Sequence, residues 1–287
     1  MRFSRSRRSS AWRAALAAAC VALSSAALAG GGPDAAAQAS SRRAWLGVEL
    51  DAGPAGGVLA KHVVTSSPAG KAGMVDGDQI VSADGIPLDD PKQLVARVAL
   101  IGPGNAISLR IRRGGSERDV AATLAAFPGA EQILRLDKIG TFAPTWKQPL
   151  ASVAGSVPAN LGALRGRVVL LDFWATWCGP CRMMSPQLSK WQRTYAAQGL
   201  SVLGVTSDQV AVASRTAQAL GMSYAVASDK GEAMASAYGV RSIPTMFVVD
   251  KKGVIREVIV GYDPTRHAEI EKLLLALLAE PAPTSTP

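Results

Sequence analysis

Cys178 and Cys181 stand three residues apart, separated only by Gly179 and Pro180, where the apolar run Val168–Phe173 gives way to a helical pattern. A thiol at a helix N-terminus meets the positive end of the helix dipole and backbone N–H groups that have no partner in the helix. Both favour the thiolate, which is the nucleophile of disulfide exchange. A second thiol one turn further on can attack the mixed disulfide and release the other chain. The spacing therefore suits a two-step exchange. A zinc site would need four ligands, and beyond this pair the chain offers only Cys20, His62 and His267, none near the pair in sequence. The sequence thus implies no metal and no cofactor.

The compartment follows from the N-terminus. Residues 1–37 read as a secretory signal. Arg2, Arg5, Arg7, Arg8 and Arg13 form the basic region, Ala14 to Leu28 a short apolar region, and Ala27-Leu28-Ala29 or Ala35-Ala36-Ala37 the cleavage site. The expected location is the periplasm or another extracytoplasmic space. An uncleaved anchor and lipidation at Cys20 are the minor alternatives. Of the formal net charge of +9, this leader carries five Arg against one Asp. The remaining Lys and Arg form no basic run with interleaved aromatics, so nucleic acid is not an expected partner. Cleavage also removes Cys20, and the two remaining thiols then serve reactivity rather than a disulfide framework.

The expected domains are residues 41–127 and 138–280, joined by a linker at 128–137 around Phe127-Pro128-Gly129-Ala130. Residues 281–287 are proline-rich and read as a disordered tail. The first module alternates short apolar runs with turn residues. Arg113-Gly114-Gly115-Ser116 reads as a hairpin turn, and Pro91 opens an amphipathic helix with Leu94, Val95 and Val98. Together these give a small β-rich α+β unit. Its segments Trp45-Leu46-Gly47-Val48, Ser67-Pro68-Ala69-Gly70, Asp76-Gly77-Asp78 and Asp84-Gly85 resemble those of a PDZ domain of the kind appended to HtrA-type proteases. That resemblance makes Trp45, Leu46, Gly47 and Val48 the loop whose N–H groups receive a peptide C-terminus, with Leu94 and Val98 lining the side-chain pocket and Arg43 assisting by charge. The module lacks a G-x-S-x-G elbow and a recognisable triad. His62, within an apolar strand, is expected to be packed.

The second module alternates strands and helices, which implies a mixed central sheet covered on both faces. Strands are expected at Val168–Phe173, Leu200–Val205 and Tyr224–Val226, and a hairpin over Thr245–Val260. Helices are expected after Cys178, at 210–220, at 232–238 and at 265–278, the first kinked at Pro186. The run Phe173-Trp174-Ala175-Thr176-Trp177-Cys178-Gly179-Pro180-Cys181 resembles the active-site segment of thioredoxin-fold proteins, closest to secreted redoxins of the TlpA/ResA type. Phe142-Ala143-Pro144-Thr145-Trp146 carries the same resemblance. It implies that Cys178 attacks, Cys181 resolves, and buried Asp172 takes the proton of Cys181. It further implies that Ile243-Pro244 is a cis-proline loop contacting substrate beside Trp177, Gly179 and Pro180. Trp174 is expected in the core. Glu232 and His267 carry no assignable chemistry.

These readings combine into an exported thiol–disulfide oxidoreductase, in the reducing direction that the Gly179-Pro180 dipeptide of reducing thioredoxins suggests. Protein thiols and disulfides are its substrates, and a membrane thiol-transfer protein is its source of electrons. Peptide C-termini are expected at the first module. The alternatives are a PDZ-centred scaffold with regulatory redox activity, and a peroxiredoxin-like peroxidase. The second is disfavoured because Thr176 lies two residues before Cys178, where that family places its Thr three before. Sco-type copper delivery would need a C-x-x-x-C spacing that is absent.

Overall fold

A computed structural model describes residues 43–53 and 56–283. The signal region, Cys20 and residues 284–287 of the tail lie outside the described residues. Among the described residues no helix is long and apolar enough to cross a membrane.

The first domain holds β1 (Ala44–Trp45), β2 (Val48–Ala52), β3 (Val58–Val63), α1 (Pro68–Lys71), β4 (Gln79–Ala83), β5 (Ile86–Pro87), α2 (Pro91–Ile101), β6 (Ala106–Arg113), β7 (Ser116–Thr123) and β8 (Ala125–Ala126). The antiparallel sheet runs in the order β2-β3-β4-β6-β7, with β5 on β4 and a separate β1–β8 pair. Strand β6 alternates strictly, burying Ile107, Leu109 and Ile111 while Ser108, Arg110 and Arg112 face water. The expected hairpin turn closes it onto β7, with Arg113 opposite Ser116. Helix α2 starts as Pro91 at its first position and a capping box between Asp90 and Gln93 dictate.

The segment expected to be a linker contains a helix, α3 (Ala130–Lys138), which fastens to both domains. Towards the first domain, its Leu136 carbonyl accepts from Ser66 N–H at 3.0 Å and Asp137 Oδ1 meets His62 Nε2 at 2.9 Å. Towards the second, Arg135 forms an ion pair with Glu257 and donates to the Val258 carbonyl at 3.0 Å, while Leu134 packs into that domain's core.

The second domain continues with β9 (Ala151–Ala154), β10 (Val168–Phe173), α4 (Gly179–Tyr195), β11 (Leu200–Thr206), α5 (Val210–Ala219), β12 (Ala225–Ser228), α6 (Ala233–Tyr238), β13 (Thr245–Val249), β14 (Ile255–Val260) and α7 (His267–Ala279). Its sheet order is β14-β13-β10-β11-β12-β9, with β10, β11 and β12 parallel and the other pairings antiparallel. Strand β10 is buried along its whole length, as a central strand covered on both faces must be. Its side chains alternate between two cores. Val168 and Leu170 join Trp174, Leu188 and Trp191 on the α4 face, and Val169, Leu171 and Phe173 join Tyr238 and Phe247 on the other. Helix α4 runs on through Pro186. The Arg182 carbonyl that Pro186 cannot serve accepts instead from Ser185 Oγ at 3.1 Å.

Candidate active site

The dithiol sits where β10 ends against the start of α4. Cys178 is the N-cap of α4, and its Sγ accepts from the Cys181 N–H at 3.2 Å. A cap acceptor here satisfies a backbone donor and stands at the positive end of a five-turn helix. The two sulfurs are joined by a disulfide. Cys178 is 4 % exposed and Cys181 1 %, whereas the neighbouring Trp177 is 76 % exposed. Both cysteines are thus screened, with the exposed Trp177 ring beside them.

The turn ahead of Cys178 is held by a residue that sequence reading missed. Asp208 Oδ2, past the end of β11, accepts from the Thr176 N–H at 2.6 Å and from Thr206 Oγ1 at 3.1 Å. Its partner is 32 residues away in sequence, and only the polar Thr206-Ser207-Asp208 ending of an apolar strand hints at it.

Asp172 points to the α4 face, since it shares the parity of Val168 and Leu170 in β10. It is 1 % exposed, its Oδ1 has no hydrogen-bond partner, and burial pushes its carboxyl up to about 7. A carboxyl in that range can accept and return a proton near neutrality.

Pro244 stands immediately before β13, the strand that pairs with β10. The Ile243–Pro244 bond is cis. Gly261 N–H donates to the Pro244 carbonyl at 2.8 Å and Thr245 Oγ1 to Ser242 at 2.7 Å, which fixes the loop. Ile243 packs against the cluster that contains both cysteines. A cavity of about 410 Å³ is lined by Trp177, Glu232, Arg241 and Ile243 among others. Glu232, unassigned from sequence, takes a left-handed conformation at the start of α6 (φ 53°).

In the first domain Gly47 also has positive φ (87°), and a Cβ there would overlap the Ser67 side chain. Its carbonyl accepts from Val64 N–H at 2.9 Å. Neither the Leu46 nor the Gly47 N–H donates to another described residue. Trp45 lies in β1 and Val48 opens β2, whose outer edge pairs with no other described strand. Leu94 and Val98 are buried in the domain core. Arg43 is engaged over the Phe127 ring, 4.9 Å from its centroid.

His62 corrects the expectation of a packed side chain. It is half-exposed and bonds Asp76 through Nδ1 at 3.1 Å and Asp137 through Nε2 at 2.9 Å. Burial works to lower its pKa, but the two carboxylates outweigh that and raise it. It lines a cavity of about 860 Å³ between the domains, with Gly47 and Val48 on one wall and Ser242 and Thr245 on the other. Arg241 and Ser242 line this cavity and the one beside Trp177 alike.

Residues 138–274 match the Redoxin family and residues 42–124 match the PDZ domain. The chain thus places a PDZ domain ahead of a thioredoxin-like redoxin domain. It is similar to the thiol-disulfide oxidoreductase ResA of Bacillus anthracis, 34 % identical over 111 residues, which cover 38 % of this chain and 64 % of ResA. It is also similar to protein DipZ of Mycobacterium tuberculosis, 31 % identical over 203 residues, or 65 % of this chain and 29 % of DipZ. Among solved structures, a candidate thiol:disulfide interchange protein DsbE from Chlorobium tepidum is 34 % identical. It matches over 50 % of this chain and 99 % of its own, with a TM-score of 0.46. The chain spans just under two thirds of the ResA relatives it matches.

Proposed function

We propose that this protein is an extracytoplasmic thiol–disulfide oxidoreductase that reduces disulfides in client proteins, with the PDZ domain holding a client or partner by its C-terminus. The observation that carries the reading is the placement of Cys178 at the N-cap of α4, with Cys181 behind it and Asp172 buried on the same face of the sheet.

In the reduced protein the Cys178 thiolate, favoured by the helix N-terminus, attacks one sulfur of the client disulfide. An S–S bond forms between Cys178 and the client, and the client's other sulfur leaves as a thiolate that takes a proton. Cys181 then gives its proton to Asp172 and attacks Cys178 Sγ. The client's second thiol is released and the Cys178–Cys181 disulfide returns. The client disulfide gains two electrons and the dithiol loses two, which a membrane thiol-transfer protein supplies in the next cycle. Trp177, Gly179, Pro180 and the backbone at Ile243 and Pro244 form the surface on which the client lies. Supporting a PDZ role are the N–H groups of Leu46 and Gly47 and the outer edge of β2, which have no partner among the described residues, and the cavity that joins this loop to the flank of the redox site.

The test is reduction of a peptide disulfide by the mature protein, using one peptide with a free C-terminal carboxylate and the same peptide amidated. Turnover that requires Cys178, with a lower KM for the free carboxylate, supports both parts. Absence of turnover removes the oxidoreductase reading. Equal KM values remove the PDZ part alone.

A further inference from the structure

The first thiol rides on a tight turn. Just past β10 the Trp174 N–H still reaches the Val205 carbonyl of β11 at 3.0 Å, and there the chain leaves the sheet. The Cys178 N–H then donates to the Ala175 carbonyl at 3.1 Å, which closes the turn Ala175-Thr176-Trp177-Cys178. Trp177 projects from it into solvent, and Cys178 ends it as the N-cap of α4. The Thr176 N–H points out of the turn and is met by Asp208 Oδ2 at 2.6 Å, a bond to a carboxylate and so of the stronger kind. Among the described residues no other side chain hydrogen-bonds to the backbone of Ala175, Thr176 or Trp177. Asp208 is itself held on three sides. Its Oδ2 accepts from Thr206 Oγ1 at 3.1 Å, its N–H donates to the same oxygen at 3.2 Å, and its carbonyl accepts from Ser228 Oγ at 2.8 Å. Thr206 and Ser228 are buried ladder partners at the ends of β11 and β12. The carboxylate is therefore aimed by two adjacent strands, and Thr206, Ser207 and Asp229 at these strand ends also line the cavity beside Trp177.

We propose that Asp208 is a positioning residue for Cys178: by fastening the Thr176 N–H to the ends of β11 and β12, it keeps the first thiol at the N-cap of α4 and Trp177 turned outward beside it. The inference rests on the proposed attack by Cys178. A helix end favours a thiolate only while the sulfur stays at the cap, because its influence fades within the first turn and hydrogen bonds to N–H groups weaken steeply with misalignment. Without Asp208 the turn is held only by the bond between its own two ends. Cys178 then spends part of its time away from the cap, and its thiolate loses the Cys181 N–H and the helix end together. A carboxylate near the turn also has a direct electrostatic effect of the opposite sign, since negative charge disfavours a thiolate. The two effects are separable. Loss of the clamp raises the Cys178 midpoint, and loss of the charge alone lowers it.

The experiment measures the pH midpoint for alkylation of Cys178 by iodoacetamide in the reduced, full-length mature protein, with the modified residue located by mass spectrometry. It needs no client and no turnover. Asp208→Ala should raise the midpoint by about one pH unit. Asp208→Asn keeps a side-chain oxygen that can accept from Thr176 N–H and Thr206 Oγ1, and should restore a midpoint at or below that of the parent. Thr206→Val removes one of the groups that aim the carboxylate. It should raise the midpoint by a smaller amount, and it serves if D208A does not fold. An unchanged or lowered midpoint in folded D208A, or in T206V where D208A does not fold, would overturn the proposal even if the protein reduces disulfides normally. So would a midpoint raised as far in D208N as in D208A. A raised midpoint in D208A, with no disulfide exchange by the parent protein, would instead overturn the proposed function and leave the positioning role of Asp208 standing.

Discussion

The Cys181 N–H donates to Cys178 Sγ across 3.2 Å, so the helix that carries the second thiol also holds the first. This relationship separates the duties of the two cysteines. Cys178→Ser should lower client reduction by about a thousandfold or more, because a hydroxyl cannot replace a thiolate nucleophile. Cys181→Ser should leave the first attack intact and accumulate a mixed disulfide between Cys178 and the client. Mass spectrometry under non-reducing conditions distinguishes the two, and a trapped adduct on Cys181 in C178S would reverse the assignment.

Asp172 should destabilise the protein above neutrality. Its folded value, raised by burial to about 7, exceeds that of an unfolded Asp near 3.9, so between these values the native state binds more protons than the unfolded one. Stability should therefore fall as pH rises from about 4 to 7 and level off beyond. Asp172→Asn should stabilise the oxidised protein at pH 8, by on the order of 4 kcal/mol at most, and little at pH 4. Denaturant melts at the two pH values measure this. An equal effect at both would mean that the carboxyl is not buried in its charged form. The same variant should slow the Cys181 attack.

The His62 contacts give a slope of the same sign in a higher pH window. Asp76 and Asp137 raise the imidazole pKa despite partial burial, so the contribution is full below about 6.5, the unfolded value, and is lost as pH rises through the higher folded value. Since the imidazole is partly open to water, this is worth at most about 1 kcal/mol. Between pH 6 and 8, hydrogen exchange at the first turns of the PDZ–α3 contact should quicken, and His62→Gln should flatten that dependence. A slope that persists in H62Q would place the titrating group elsewhere.

Gly47 tests the peptide loop. Any side chain there meets Ser67 and must adopt positive φ. Gly47→Ala should therefore weaken C-terminal peptide binding by at least about tenfold, with a cost near 1–2 kcal/mol in the first domain. The disulfide chemistry of the second domain should persist. Peptide titration by fluorescence anisotropy gives the result, and unchanged affinity would argue that the loop is structural only.

The redox site was legible because its chemistry is local. Cys178, Cys181 and the apolar strand before them fall in one continuous segment, and the two-face burial of β10 follows from its composition. The Ile243-Pro244 loop and the two domains were legible through their resemblance to known segments. What escaped depends on partners far along the chain. Asp208 acts on Thr176, and His62 meets Asp137 at a separation of 75 residues. Helix α3 escaped because Pro128-Gly129 before it read as a linker, and because its side chains divide between two domains. Leu134 serves one, Asp137 the other, and neither contact shows as a single apolar stripe.

The most direct test of the central claim is an equilibrium redox titration of the mature protein against dithiothreitol and glutathione, with the thiols of Cys178 and Cys181 counted by alkylation and mass. A reductase predicts one two-electron couple at a reducing potential, near the roughly −270 mV of thioredoxins. A couple near −120 mV would contradict the reducing direction, and a pair that does not cycle would contradict the oxidoreductase account altogether.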